Sequence, residues 1–151
     1  MADTDKPDSL AIVVFSGEFD KVHYALTMAS AAAASNTPAT LFFTMKACRA
    51  VMKPDANGVA PWQTMPVSTD GKGGNETGRA MDRRFEANRV ATFEELMSAC
   101  IELGVAFMVC EMGLRAMNLT RDDLRADIDF AEGGVVSFLN AASKDGAVLF
   151  I

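Results

Sequence analysis

Cys48, Cys100 and Cys110 are the residues of this 151-residue chain best suited to covalent chemistry. An odd number at irregular spacing is not a disulfide framework. No C-x-x-C spacing is present, and His23 is the sole histidine, with no second one to build a metal site. Ser16 has no histidine and acid arranged around it in a recognisable pattern. Cys110 stands out by its position. The apolar run Val105 to Val109 leads directly into it, and Gly113 follows three residues later. This reads as a buried strand that ends in a thiol, with a helix starting at about Met112 or Gly113. Unpaired N–H groups at a helix N-terminus favour a negative charge, so a thiolate or a persulfide would be stabilised there. Glu111 opposes this if it points inward. The competing reading is a small hydrophobe at a strand end, because cysteine is among the most buried residue types.

The other two thiols read differently. Cys100 falls on the apolar face of a helix and belongs to the core. Cys48 lies just past a second strand, at the same end of the sheet as Cys110, and is an auxiliary candidate that could resolve or shuttle sulfur. A direct Cys48–Cys110 disulfide would need Cα atoms within about 7 Å, and one strand is expected to stand between theirs. Met108, Met112 and Met117 read as core and interface filler rather than a copper site.

The elements that must position these groups follow from apolar periodicity. Leu10–Phe15, Ala39–Met45, Val105–Val109 and Ala147–Ile151 are short, β-branched or aromatic runs of the kind found in parallel strands buried on both faces, and Asp127–Phe130 is a short fourth strand. Phe19–Ser35, with Asp20 as its cap, and Thr92–Leu103 have apolar residues at helical spacing. Thr92 with Glu95 forms a capping box, and Gly104 ends the second of these helices. Lys46–Lys53 reads as a short helix. A helix from Gly133-Gly134 to Ala142 is expected to turn Val135, Val136, Phe138 and Leu139 inward. Alternation of strands and helices predicts a three-layer α/β, flavodoxin-like fold with a mostly parallel five-stranded sheet. The expected strand order, 2-1-3-4-5, places the ends of the first and third strands at the ligand-binding crevice of such folds. Ser16, Gly17, Cys110, Glu111 and Met112 would then line one pocket. Residues 1–9 read as a disordered tail and 54–80 as a long loop. Within that loop GGNETGRA has only a faint phosphate-loop character, with Arg79 in place of the lysine, Ala80 in place of the hydroxyl residue, and no buried strand leading in.

Composition excludes several classes. The net charge of −6 comes without a basic stripe, so no nucleic-acid partner is expected. The arginines at 79, 83, 84 and 89 alternate with Asp82 and Glu86, as on a solvated helix face. No run is long enough to span a bilayer, and the polar, acidic start MADTDKPDS is not a signal peptide. A cytoplasmic protein with reduced thiols is the expectation.

The segments LFFTM, FEELMSACIELGV, VAFMVCEMGLRAMNL, GGVVSFLNAA and a terminal LFI, in this order, resemble the DsrE/DsrF-like family, in the branch of DsrE-like sulfur carriers also labelled peroxiredoxin-like. The resemblance runs from Leu10 to Ile151 as one domain. Its strand-end segment is similar to C-x-M-x-x-x-x-M-G, which here stands as Cys110-Glu111-Met112 with Met117-Asn118, so that Asn118 occupies the place of the glycine. The resemblance implies homo- or hetero-oligomers, often trimers or hexamers, and a cysteine that carries sulfane sulfur as a persulfide. By position that cysteine is Cys110. It also implies sulfur donor and acceptor proteins as partners and needs no organic cofactor. A peroxidase would require groups that polarise peroxide beside the thiolate, and no such set is visible. Two further readings use the same cleft: a non-catalytic binding or regulatory subunit of a sulfur-metabolism complex, and a nucleotide or flavin module.

Overall fold

The computed structural model describes residues 5–68, 74–131 and 133–151. Its five strands, β1 (Leu10–Val14), β2 (Ala39–Phe43), β3 (Ala106–Val109), β4 (Phe130–Ala131) and β5 (Ala147–Phe150), form one sheet. All its pairings are parallel, and the order is β4-β3-β2-β1-β5. Helices α1 (Phe19–Ala34), α2 (Gly78–Ala87), α3 (Phe93–Glu102), α4 (Glu111–Ala116) and α5 (Val135–Ala141) accompany it. The fold class is therefore the expected parallel α/β, but the strand order is not 2-1-3-4-5. The chain steps β1, β2, β3, β4 in one direction and then crosses back to place β5 on the free side of β1. Single-strand hydrophobicity cannot show this, because a strand buried on both faces carries no record of its neighbours.

The two faces of the sheet are filled unequally. Ile12, Val14, Leu41, Phe43, Phe107 and Val109 point into the larger core with Val22, Leu26 and Ala29 of α1 and Leu96, Met97 and Cys100 of α3. On the opposite face Ala11, Phe42, Met108 and Cys110 pack against Phe138 of α5. Phe138 stacks on Phe42 with ring centroids 4.9 Å apart. Of the four α5 residues expected inward, only Phe138 is buried; Val136 is 72 % exposed, and Val135 and Leu139 are also open to solvent. Seven residues make about two turns, too few for all four to meet the sheet. Phe150 and Val148 of β5 remain exposed on the same side of the sheet.

Helix ends carry much of the local order. The Thr92–Glu95 capping box is formed. Four helices close with the same reverse turn, in which the residue after the cap takes a left-handed backbone: Asn36 at φ 62°, Arg89 at 59°, Gly104 at 78° and Asn118 at 58°. After α4, Leu119 N–H donates to Leu114 O at 2.8 Å and Asn118 N–H to Arg115 O at 3.1 Å, the paired bonds of a Schellman turn. Glycine, which stands here in the pattern the segment resembles, would suit this left-handed backbone. Asparagine is among the non-glycine residues that tolerate this best, so Asn118 preserves the turn.

Several local expectations change. Asp20 does not cap α1; its carboxylate accepts from the Ser68 backbone N–H at 2.8 Å and from the Ser68 hydroxyl. The stretch 54–80 is not wholly loop. It contains a 3-10 turn, Pro61–Thr64, whose Trp62 stacks on Phe93 at 4.6 Å, and α2 begins at Gly78. The GGNETGRA reading begins outside the described residues. So does part of the expected tail, whose described portion is bonded through Lys6 Nζ to Ser35 O at 2.9 Å and through Asp8 N–H to Asp145 O at 3.2 Å. His23 is buried, with Nε2 2.8 Å from Ala91 O.

Candidate functional site

Cys110 is placed by its neighbour strand. Its N–H donates to Phe43 O at 2.9 Å, which extends the β2–β3 ladder by one residue. The chain then turns into α4, and Cys110 is the N-cap: its Sγ accepts from Gly113 N–H at 3.4 Å. The sulfur occupies the place where a capping oxygen ordinarily sits, facing N–H groups that lack helical partners. Gly113 makes this turn possible. A Cβ there would lie 2.6 Å from Thr44 Oγ1 and 2.7 Å from Met45 N, so only glycine lets α4 pack this tightly on the end of β2. Met45 itself has a left-handed backbone, φ 52°.

The residue Cys110 is 1 % exposed, yet it forms part of the wall of a cavity of about 490 Å³ with Glu111, Met112, Arg115, Gly134, Val135 and Val136. Glu111 is turned outward and bonds Arg121 Nε at 2.7 Å. Of the expected site residues, then, Cys110, Glu111 and Met112 come together. Ser16 and Gly17 do not join them. They line a separate cavity of about 680 Å³ with Phe15, Phe150 and Ile151, at the C-terminal ends of β1 and β5. With β2 between β1 and β3, the two strand ends are two inter-strand spacings apart, roughly 9.5 Å. The reversal of strand order lies at β1/β5, so the crevice expected at β1/β3 is not formed there.

Cys48 lies in the 3-10 turn Met45–Val51 that follows β2. Because β2 and β3 are adjacent, no strand separates the elements that carry Cys48 and Cys110, contrary to the expected order. The two thiols pack in different clusters, Cys48 in the larger core and Cys110 on the α5 face. They still sense each other electrically. Burial foremost, then charge on Cys110, push the Cys48 thiol from 9.0 up to about 12, against a smaller lowering by its backbone hydrogen bond. Burial alone pushes Cys100 to about 12 as well. Both are neutral thiols at physiological pH. A raised folded-state value means that the folded protein holds these protons more tightly than the unfolded chain. The contribution to stability is full below about pH 9 and is lost as pH rises towards 12. The urea midpoint should therefore fall between about pH 8.5 and 10.5, and a Cys48→Ala, Cys100→Ala double variant should show a shallower fall; an identical slope would refute this coupling.

Sequence reasoning missed one charged cluster. Arg125 donates to both Glu94 oxygens at 2.9 Å and to Asp127, while Trp62 Nε1–H donates to Glu94 Oε1 at 2.9 Å. Burial opposes the Arg125 charge, but the bonds to Asp127 and Glu94 outweigh it and raise its affinity for the proton. The hydrogen bond from Arg125 in turn holds the Asp127 carboxyl below its usual range. The residues are 31 or more apart in sequence, apart from the 125–127 pair, so no local pattern marks them. Among the described residues no group of three His, Cys, Asp or Glu could hold a metal ion, and no helix is long and apolar enough to cross a membrane.

The third strand of a parallel α/β sheet thus delivers a cysteine to the N-cap of a short helix. The chain belongs to the DsrE/DsrF/DrsH-like family, whose sequence pattern matches residues 6–150. It is 28 % identical over 161 residues to the uncharacterized protein YrkE of Bacillus subtilis (strain 168), covering 98 % of this chain and 99 % of that one. The fold is similar to that of MTH1491, a protein of unknown function from Methanobacterium thermoautotrophicum (TM-score 0.59, 12 % identity, 95 % of this chain and 98 % of that one). It is also similar to that of the ychN protein of E. coli (TM-score 0.53, 14 % identity, 95 % and 99 %).

Proposed function

We propose that this protein is an intracellular sulfur-relay protein that carries sulfane sulfur as a persulfide on Cys110. The observation that carries the reading is the Cys110 Sγ at the first turn of α4, accepting from Gly113 N–H beside a cavity. Family membership supports a sulfur-relay role in general. The Cys110 thiolate attacks the terminal sulfur of a donor R–S–SH. A new S–S bond forms to Cys110, the donor's own S–S bond breaks, the proton stays on the transferred sulfur, and R–S⁻ leaves with the electron pair, so no external oxidant is required. An acceptor thiolate reverses the step. The Glu111–Arg121 ion pair draws the neighbouring carboxylate away from the sulfur. Cys48, neutral and buried, serves at most as a second station when α4 and the 45–51 turn move apart.

Treatment with inorganic polysulfide followed by mass spectrometry should add sulfur mass to the Cys110 peptide, and Cys110→Ala should abolish it. An adduct that persists in this variant, or none at Cys110, removes the reading. The 1 % exposure of Cys110 favours one rival, a non-catalytic binding subunit; in that case Cys110 would alkylate no faster than free cysteine near neutral pH.

The reading includes self-association. The face that carries Leu139, Val148 and Phe150 leaves large apolar side chains in water, and burying them between copies would be favourable at roughly 25 cal/mol per Å². Analytical ultracentrifugation at micromolar concentration should show a trimer or hexamer; a monomer at all concentrations contradicts this part.

A further inference from the structure

Among the described residues that line the Cys110 cavity, the cation Arg115 has no carboxylate bound to it, although the chain as a whole is acidic. Besides the thiol, two ionisable groups among the described residues line this cavity, Glu111 and Arg115. They stand four residues apart on α4, a spacing at which they could pair. They do not: Glu111 is bound to Arg121 at 2.7 Å. Arg115 has no ion-pair partner among the described residues. The remaining lining, Met112, Val135 and Val136, is apolar, and Met112 is 60 % exposed at the mouth.

We infer that Arg115 recognises the carboxylate of a small organic persulfide, which delivers its sulfur to Cys110 in this cavity. The inference rests on the carrier reading above and specifies its donor. A guanidinium on an apolar-walled cavity matches a ligand with an anionic group and an aliphatic body, because the few polar groups of such a site set orientation while the walls cover the rest. A bare inorganic anion would leave Met112, Val135 and Val136 uncovered. With the carboxylate on Arg115, the donor's terminal sulfur faces Cys110 Sγ. Attack there forms Cys110–S–SH, breaks the donor's S–S bond and releases the carboxylate-bearing thiolate; the proton stays on the transferred sulfur. Arg115 is thus a specificity residue and takes no part in bond making.

The test compares charged and neutral probes of similar size on the full chain, with the adduct at Cys110 read by peptide mass spectrometry. Cysteine persulfide and iodoacetate carry the carboxylate; 2-mercaptoethanol persulfide and iodoacetamide do not. Arg115→Ala should slow both carboxylate probes about fivefold, the ceiling for an exposed ion pair, and leave both neutral probes within about twofold; Arg115→Lys should recover part of the loss. Equal slowing of all four probes, or of none, overturns the assignment. Thiosulfate loading Cys110 in an Arg115-dependent way, with cysteine persulfide indifferent to Arg115, overturns the organic donor in favour of an inorganic one. If no probe places sulfur on Cys110 but iodoacetate still depends on Arg115, the carrier reading falls and carboxylate recognition by Arg115 stands.

Discussion

Phe19→Ala is expected to cost about 3–5 kcal/mol, the usual range for removing a buried aromatic ring. Phe19 opens α1 and is fully buried. Its ring lies 5.6 Å from Trp62, 5.7 Å from Phe93, 5.8 Å from His23 and 6.3 Å from Phe85. Those four partners come from the Pro61–Thr64 turn, α3, α1 itself and α2, so one side chain joins the irregular segment to three helices. The backbone there is also committed, since Phe19 N–H donates to Pro66 O at 2.8 Å. Gly78 packs against the same ring, where an added Cβ would come within 2.8 Å of Phe19 Cδ2. Neighbours held this way collapse poorly into a cavity, which places the loss towards the upper end. Against a typical net stability of roughly 5–15 kcal/mol, urea denaturation followed by circular dichroism should show a much lower midpoint with little change in slope. A loss under about 1 kcal/mol would mean that the ring cluster does not hold the segment.

Gly113→Ala is expected to be the most damaging single-methyl change at the site. The new Cβ would meet Met45 N at 2.7 Å and the Thr44 Cα at 3.1 Å, and backbone cannot rotate aside as a side chain can. Overpacking of this kind costs about 1–3 kcal/mol and sometimes more. The only relief is for α4 to lift from the end of β2, which moves the Gly113 N–H away from Cys110 Sγ. Stability and sulfur loading should therefore fall together, with loading on Cys110 slowed severalfold even under conditions where the variant is fully folded. Gly134→Ala is the steric control, because its Cβ would meet nothing within 4 Å; it should lose no more than about 1 kcal/mol, the cost of alanine at the α5 N-cap. A folded Gly113→Ala protein that loads Cys110 at the parent rate would separate the cap from the chemistry.

Much of the fold is legible in the chain because its signals are local. The runs LAIVV, ATLFF and AFMV hold enough β-branched and aromatic residues to be strands wherever they are placed. Thr92-x-x-Glu95 and Gly104 mark a helix start and stop through bonds made within one turn. The thiol at Cys110 and the glycine three residues on are likewise a local pattern, and the structure joins them by one hydrogen bond. Other local signals misled where a competing partner lay far off in sequence. Asp20 had the composition of a cap, but Ser68, 48 residues away, takes its carboxylate. The apolar α5 looked like a core helix, yet the sheet face beneath it accepts only Phe138.

By itself, then, the sequence determined the kinds of elements, their order along the chain, and the thiol that ends the third strand, since each follows from residue periodicity and turn chemistry within a few positions. The tertiary structure decided which strand ends meet. It set β2 beside β3, separated Ser16 and Gly17 from Cys110, paired Glu111 with Arg121, and left Arg115 at the cavity. These outcomes depend on strand order and on charges brought together by packing, and strands buried on both faces present the same apolar surface to any neighbour.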